Sequence, residues 1–261
     1  MRESYAVVTG ASLGLGKSFA QELAKRGSNL ILISLPSQGL PTLCETLARQ
    51  YGIKAHHYET DLSAEGSIME LGKWINSRFD IDILVNNVGI GGTKSFSEAS
   101  AHYIERIIKL NVMPPSLLTH QLLPNLMQRK KAYILNVSSL AAFSPIGYKT
   151  VYPASKAFVR SFSRGLHEEL KDTNVSVSVV YPGPMRTNMD SIQRMKRQGL
   201  IANMAALCPD KVAKYCIRRL KRRDSVIMVN RFSLLFLAIM PTWLKLQLIT
   251  RRIKKELATG K

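Results

Sequence analysis

Short apolar runs rich in β-branched residues alternate along this chain with longer stretches whose apolar positions recur every three to four residues. Residues Tyr5–Thr9, Asn29–Ser34, Lys54–Tyr58, Ile83–Asn86, Ala132–Val137, Val175–Tyr181 and Ser225–Val229 predict strands. Between them, segments 14–26, 40–51, 64–77, 100–128, 150–171 and 209–222 predict helices. Strands that are apolar on both faces and separated by helices specify a parallel sheet covered on both sides. The expected fold is therefore α/β and doubly wound, with about seven strands in one domain over residues 1–230. Pro114–Pro115 interrupts the fourth helical pattern and predicts a kink or break there.

After residue 230 the pattern changes. Phe232–Leu244 is apolar but contains Pro241, and it is followed by Lys245, Arg251, Arg252, Lys254 and Lys255. A spanning helix needs about 20 apolar residues, so this run is short for one. Two readings of the 231–261 tail remain open: a basic amphipathic helix lying on a membrane surface, or a terminal helix packed on the domain or on a second subunit. Charge sharpens the contrast. The net charge is +19, yet residues 186–261 hold 18 Lys and Arg against four acids, leaving only +5 for the first 185 residues. Such an end suits an anionic surface, through residues 231–255.

Composition narrows the class further. With 46% hydrophobic residues in 261, the chain can bury a substantial core. Its cysteines, Cys44, Cys208 and Cys216, are odd in number and lack ligand spacing, which suggests neither a disulfide framework nor a metal site. His56, His57, His102, His120 and His167 also lack ligand spacing. The strand-like run begins almost at Met1, leaving no room for a signal peptide, so the expected setting is reducing and cytoplasmic, with peripheral contact to an inner membrane face as a further option. No helix-turn-helix or aromatic-plus-basic platform points to nucleic acid.

Two local patterns carry chemistry. Thr9-Gly-Ala-Ser-Leu-Gly-Leu-Gly16 joins the first strand to the first helix. Gly10 can turn tightly, Gly14 and Gly16 let backbone approach a pyrophosphate, and the helix N-terminus offers unpaired N–H groups. Tyr152 and Lys156, four apart on a predicted helix, share a face. A cation beside a phenol favours phenolate and lowers its pKa, suiting it to proton exchange with a substrate oxygen.

The TGxxxGxG spacing, with Tyr152 and Lys156 as a YxxxK pair, resembles the short-chain dehydrogenase/reductase family. Further landmarks fall in the family's order: Asp61-Leu62, Asn86-Asn-Val-Gly89, Lys109-Leu-Asn111, Asn136-Val-Ser-Ser139 and Pro182-Gly-Pro-Met-Arg-Thr187. Val88 stands where the family usually has Ala. The resemblance implies a Rossmann fold and reversible hydride transfer between a nicotinamide and a carbonyl or secondary alcohol. It assigns Tyr152 as acid/base, Lys156 as ribose ligand and pKa tuner, Ser139 as carbonyl polariser and Asn111 as holder of a relay water. It places Gly10, Ser12, Leu13, Gly14, Gly16, Asn86, Gly89, Tyr152 and Lys156 on the cofactor, Asp61 at the adenine and Thr187 at the carboxamide. Ser138 is left to contact with cofactor backbone or to capping the strand end, and Asp61 has a competing role as the cap of a helix starting near Ser63.

Cofactor choice is less marked. An acid at the end of the second strand would select NAD and an Arg would select NADP, but this chain has Ser34-Leu-Pro36. Ser34, Ser37 and Lys17 tilt the expectation toward NADP over NAD. Segment 185–207, with Met185, Met189, Met195 and Met204, predicts a lid over a lipophilic substrate. By resemblance, a 3-oxoacyl chain or a hydroxysteroid fits, as does a homodimer or tetramer through the two long helices at 100–128 and 150–171. The competing class is a non-catalytic dinucleotide sensor or scaffold that engages partners through its basic end.

Overall fold

The computed structural model describes residues 3–185, 207–230 and 241–259. The expected lid and the apolar run of the tail lie mostly outside these residues. Seven strands, β1 (Ser4–Thr9), β2 (Asn29–Ser34), β3 (Ala55–Glu59), β4 (Asp80–Asn86), β5 (Ala132–Val137), β6 (Val175–Tyr181) and β7 (Val226–Met228), form one sheet in the order β3-β2-β1-β4-β5-β6-β7. Every pairing is parallel. The expected doubly wound Rossmann architecture is what the chain adopts.

Alternation within the strands explains why the sheet is covered twice. In β1, Ala6 and Val8 enter one apolar cluster with Phe19 and Leu23 of α1 (Gly14–Lys25), while Tyr5 and Val7 enter the other. The first cluster also takes α2 (Leu40–Tyr51) through Leu47, and α7 (Pro209–Lys221) through Ile217. The second takes α3 (Ser67–Arg78) through Leu71, α4 (Ala101–Met113) through Leu110, and α5 (Thr119–Met127) through Leu122. α6 (Val151–Glu169) packs on α4 and on β6. Within these clusters Cys44 and Cys216 are buried, and burial pushes both thiols up to about 12, so they pack as small apolar groups.

Pro114–Pro115 neither ends the helical run nor merely bends it. The chain passes through a π turn at Pro114–Leu118 and continues directly as α5. Two consecutive residues without N–H cannot close α-helical bonds, and a wider turn absorbs the gap. A terminal helix, α8 (Thr242–Thr259), packs on the domain: Lys245 and Ile253 are buried, and Gly147 N donates to Thr250 Oγ1 at 3.0 Å. The same helix leaves Trp243 63% exposed, with Leu248, Arg251 and Lys254 exposed beside it, so features of both readings of the tail coexist on α8.

Candidate active site

Strand order reverses at β1, which has β2 on one side and β4 on the other, and such a point opens a crevice at the strands' carboxyl ends. A cavity of about 470 Å³ occupies it. Of the residues singled out in the sequence, Gly10, Ser12, Leu13, Gly14, Asp61, Gly89, Ser139, Tyr152 and Lys156 line this cavity. Gly16, Asn86 and Asn111 do not, and Thr187 lies outside the described residues.

The glycine loop shows two distinct demands. Gly10 has φ +65°, a backbone region that favours glycine, and a Cβ there would come within 3.1 Å of Asn87 Nδ2. Gly16 is constrained by packing: a Cβ there would lie 1.9 Å from Gly10 O. The first turn of α1 has no acidic residue, and its N-cap residue Leu13 makes no side-chain capping bond. Backbone N–H groups and the positive end of the helix dipole therefore remain for an anion.

Thr9 and Asn87 hold the loop to β4. Thr9 Oγ1 accepts from Asn87 N at 3.0 Å and Val88 N at 3.1 Å, while Asn87 Nδ2 donates to Thr9 O at 2.9 Å. Asn87 lines the cavity and its neighbour Asn86 does not. Asn86 is buried below the cavity, donating to Thr119 Oγ1 at 2.9 Å and to Asn136 Oδ1 at 2.8 Å. Adjacent strand positions face opposite ways, so only one of the two asparagines can front the crevice. The doublet itself was the available signal.

Around Tyr152 the side chains interlock. Asn111 is buried on α4, where Oδ1 accepts from Ile90 N at 2.8 Å. Its Nδ2 donates to Ile90 O at 2.9 Å and to Ser155 Oγ at 2.8 Å. Ser155 Oγ in turn donates to Tyr152 O at 2.8 Å. One amide thus ties the segment after β4 to α6. Gly89 fits between Asn111 and Lys156, since a Cβ would lie 2.8 Å from Asn111 Oδ1 and 3.2 Å from Lys156 Nζ. Lys156 Nζ donates to Val137 O at 2.9 Å, and Ser138 Oγ donates to Lys156 O at 2.8 Å. Ser138 thus ties the end of β5 to α6, and it also lines the cavity.

Electrostatics differ from the expectation in one respect. Burial pushes the Tyr152 phenol up, and a hydrogen bond with Ser139 pulls only partly against it. The cation anticipated to lower it is itself weakened, because burial brings Lys156 down to about 8. Ser139 Oγ also accepts from Ala141 N at 3.1 Å, which fixes the hydroxyl at the start of a 3₁₀ turn, Leu140–Phe143.

At the far end, Asp61 Oδ1 accepts from Ser63 N at 2.8 Å and Ser63 Oγ at 2.7 Å. It caps a turn and not a helix, since α3 begins only at Ser67. Burial raises its pKa, but the two Ser63 bonds and Arg106 outweigh this and leave it lowered. Arg106, Gln38 and Gly91 also line the cavity and have no family landmark in the sequence. Ser12 Oγ donates to Gln38 Oε1 at 2.5 Å, and Ser34 Oγ donates to Leu35 O at 3.0 Å. Of the three residues that favoured NADP, only Ser34 lines the cavity; Ser37 and Lys17 do not. No group of three or more possible metal ligands occurs among the described residues.

The sequence matches the short chain dehydrogenase family pattern over residues 4–198. The chain belongs to the short-chain dehydrogenase family. A very-long-chain 3-oxoacyl-CoA reductase of Anas platyrhynchos is 37% identical to it over 197 residues, covering 73% of this chain but only 62% of that protein. A 3-oxoacyl-[acyl-carrier-protein] reductase of Aquifex aeolicus is 34% identical over 187 residues, covering 71% of this chain and 75% of the relative. Among solved structures, a short-chain dehydrogenase from Sphingobium yanoikuyae in complex with NADPH superposes with TM-score 0.78 at 27% identity, covering 90% of this chain and 93% of that one. In this short-chain dehydrogenase, the residues matching the family's YxxxK pair line the cavity, Lys156 beside Gly89 and Tyr152 beside Gly91.

Proposed function

We propose that this chain reduces a 3-oxoacyl thioester with a nicotinamide cofactor, Tyr152 donating the proton. The observation that carries the reading is the crevice that brings Ser139, Tyr152 and Lys156 together with the glycine loop. A phenol there can donate a proton as the carbonyl oxygen gains charge, and the reductive direction is taken from the reductases the chain resembles. Substrate class rests on the duck and Aquifex relatives, which are 3-oxoacyl reductases.

The cavity suits a dinucleotide on its own evidence: a glycine turn that excludes side chains, an uncapped helix N-terminus, and Asp61 at the opposite end. The cofactor supplies the hydride when bound. Everything else falls to the chain. Gly10, Ser12, Leu13 and Gly14 would cradle the pyrophosphate, Asp61 would meet the adenine, and Gly89 would let the cofactor approach Lys156. Ser139 would donate to the developing oxyanion. Lys156, with its lowered pKa, would hold ribose hydroxyls while remaining able to pass a proton. Asn111 would hold the relay water through its main chain: Pro115 has no N–H, so the carbonyl four residues before it lacks the usual helical donor.

Tyr152→Phe tests the reading with acetoacetyl-CoA as substrate and either NADPH or NADH. It should cut kcat by about 10³-fold or more while the affinity for NADPH stays within about twofold. An unchanged kcat overturns the proton-donor role. A wild-type protein that binds NADPH but reduces no 3-oxo compound favours the sensor reading.

For partners, we infer a homo-oligomer and a peripheral membrane contact. Ile108 on α4 and Phe158 on α6, stacked against Phe162, are exposed on adjacent helices, which supports pairing of two copies there. Trp243, Leu248, Arg251 and Lys254 on α8 support an anionic lipid surface. None of the described helices is long and apolar enough to cross a membrane. Light scattering reports the first; flotation with phosphatidylglycerol vesicles, comparing wild type with a Trp243→Glu/Arg251→Glu variant, reports the second. Equal flotation of the two proteins would remove the membrane contact.

A further inference from the structure

The turn that leads into Tyr152 is built from contacts far apart in sequence. Residues Ile146–Lys149 form a tight reversal in which Lys149 N donates to Ile146 O at 3.3 Å, and Tyr152 N then donates to Lys149 O at 3.1 Å. Tyr148 sits at φ +62°, a region uncommon for any side chain but glycine and adopted by an aromatic residue only when its surroundings impose it. Two outside groups impose it. Lys94 N, from the segment after β4, donates to Tyr148 O at 2.7 Å. From the opposite side Thr250 Oγ1 of α8 accepts from Gly147 N at 3.0 Å. The fit there admits no side chain on residue 147, because a Cβ would lie 2.5 Å from Thr250 Cγ2 and 2.9 Å from Thr250 Oγ1.

We propose that Thr250 is a positioning residue for the reaction: through its hydrogen bond to Gly147, helix α8 sets the turn from which Tyr152 enters α6. The terminal helix then braces the turn that enters α6 and is not merely an appendage. The link from Gly147 to Tyr152 is six residues long and is held by the Lys149–Ile146 and Tyr152–Lys149 backbone bonds, so displacement at Gly147 is passed on to the phenol. At the cofactor end the hydrogen bonds described go to other groups: Gly10, Asp61 and Lys156 bond to Asn87, Ser63 and Val137 respectively. Releasing Thr250 should therefore disturb proton delivery and substrate placement while leaving dinucleotide binding intact. A misplacement of about 1 Å in a reacting group can cost up to about 10²-fold in rate, so a released turn held still by Lys94 should lose about tenfold.

The test is Thr250→Val, which keeps shape and removes the acceptor, with Thr250→Ser as the conservative control and Gly147→Ala as a second way of parting the two surfaces. Amide exchange by mass spectrometry should rise in the peptide covering residues 144–152 for Val and for Gly147→Ala, with no change in peptides from β1 and β5, and should return to the wild-type level for Ser. Kinetics with acetoacetyl-CoA should show kcat/KM down by about tenfold in the first two variants, an unchanged KM for NADPH, and recovery in Ser. Unchanged exchange and kinetics overturn the proposal. So does a loss of NADPH affinity and melting temperature in step with activity, since that marks general loosening. The kinetic readout rests on the reductase reading; if the wild type reduces nothing, that reading fails by itself and the exchange pattern still decides the role of Thr250.

Discussion

The cofactor end and the substrate end of this crevice are held in different ways. At the cofactor end, few residues clamp backbone to backbone: Thr9 and Asn87 exchange hydrogen bonds across β1 and β4, and Gly10 and Gly16 bring α1 against the strand. At the substrate end, the turn before α6 relies on Lys94 and on Thr250, the latter 103 residues from its partner Gly147. The first region is a set of short motifs whose residues must be what they are. The second depends on a helix whose packing face no motif announces. The cofactor end should thus be intolerant of small changes, and the substrate end tunable.

The sharpest way to break this contrast is at Gly16. A methyl 1.9 Å from Gly10 O has backbone and not side chain to displace, so Gly16→Ala should cost about 3 kcal/mol or more and abolish NADPH binding. Denaturant unfolding measures the first and fluorescence titration the second. A stable, NADPH-binding variant would mean that α1 can shift and that the loop is no more rigid than the turn.

Next in size is Asn111, which bridges the two regions. Asn111→Leu removes bonds to the half-buried Ile90 backbone and the buried Ser155 hydroxyl, a loss of about 2–4 kcal/mol by the penalty for unpaired polar groups. Unfolding in urea should show it. A drop in activity much greater than the loss of folded protein explains would locate a further contribution in the Asn111 side-chain amide, since Leu keeps the main-chain carbonyl that Pro115 leaves without its usual helical donor.

How much of this was legible follows the same division. Strands β2, β5 and β6 have the bounds that β-branched runs indicated, because tertiary packing and local pattern agree there. The Gly10–Gly16 loop and the Tyr152–Lys156 pair were readable because their spacing is fixed by one turn and one helix. Other features needed three dimensions. Which of Asn86 and Asn87 fronts the crevice depends on strand phase. The direction of the Tyr152 shift depends on burial, which spacing does not report: proximity of a lysine suggested lowering, and desolvation of both groups reversed it. Pro114–Pro115 signalled a disturbance, but only the continuing helix shows that a π turn resolves it. Thr250 had no local signal at all.

A smaller effect probes Lys156 at the boundary between the regions. Its pKa falls from the usual lysine range to about 8 in the folded protein. Below pH 8 the folded state carries a buried charge that opposes folding; between about 8 and 10.5 the unfolded chain binds more protons than the folded one, so stability rises with pH. Relative to Lys156→Met, the wild type should gain on the order of 1–2 kcal/mol between pH 7 and 9.5, seen as a few degrees in Tm. Parallel melting curves for the two proteins across that range would show that Val137 and the surrounding polar groups already compensate the charge.

The least costly change lies at the adenosine end, where even the cofactor region should prove adjustable. Neither an acid nor a base occurs among Ser12, Leu13, Ser34, Leu35 and Gln38; Gln38 accepts from Ser12, and Ser34 spends its hydroxyl on Leu35 O. An uncharged amide neither repels a 2′-phosphate nor pairs with it, and it can bond a 2′-hydroxyl equally well. The wild type should therefore separate NADPH from NADH by less than about tenfold in kcat/KM, about 1.4 kcal/mol. Gln38→Arg should shift the ratio toward NADPH by about tenfold, through a charge-assisted pair, and Gln38→Glu should shift it toward NADH. If Arg and Glu leave the ratio where it was, the ribose is read elsewhere, and Arg106, which lines the same cavity beside Asp61, becomes the residue to change.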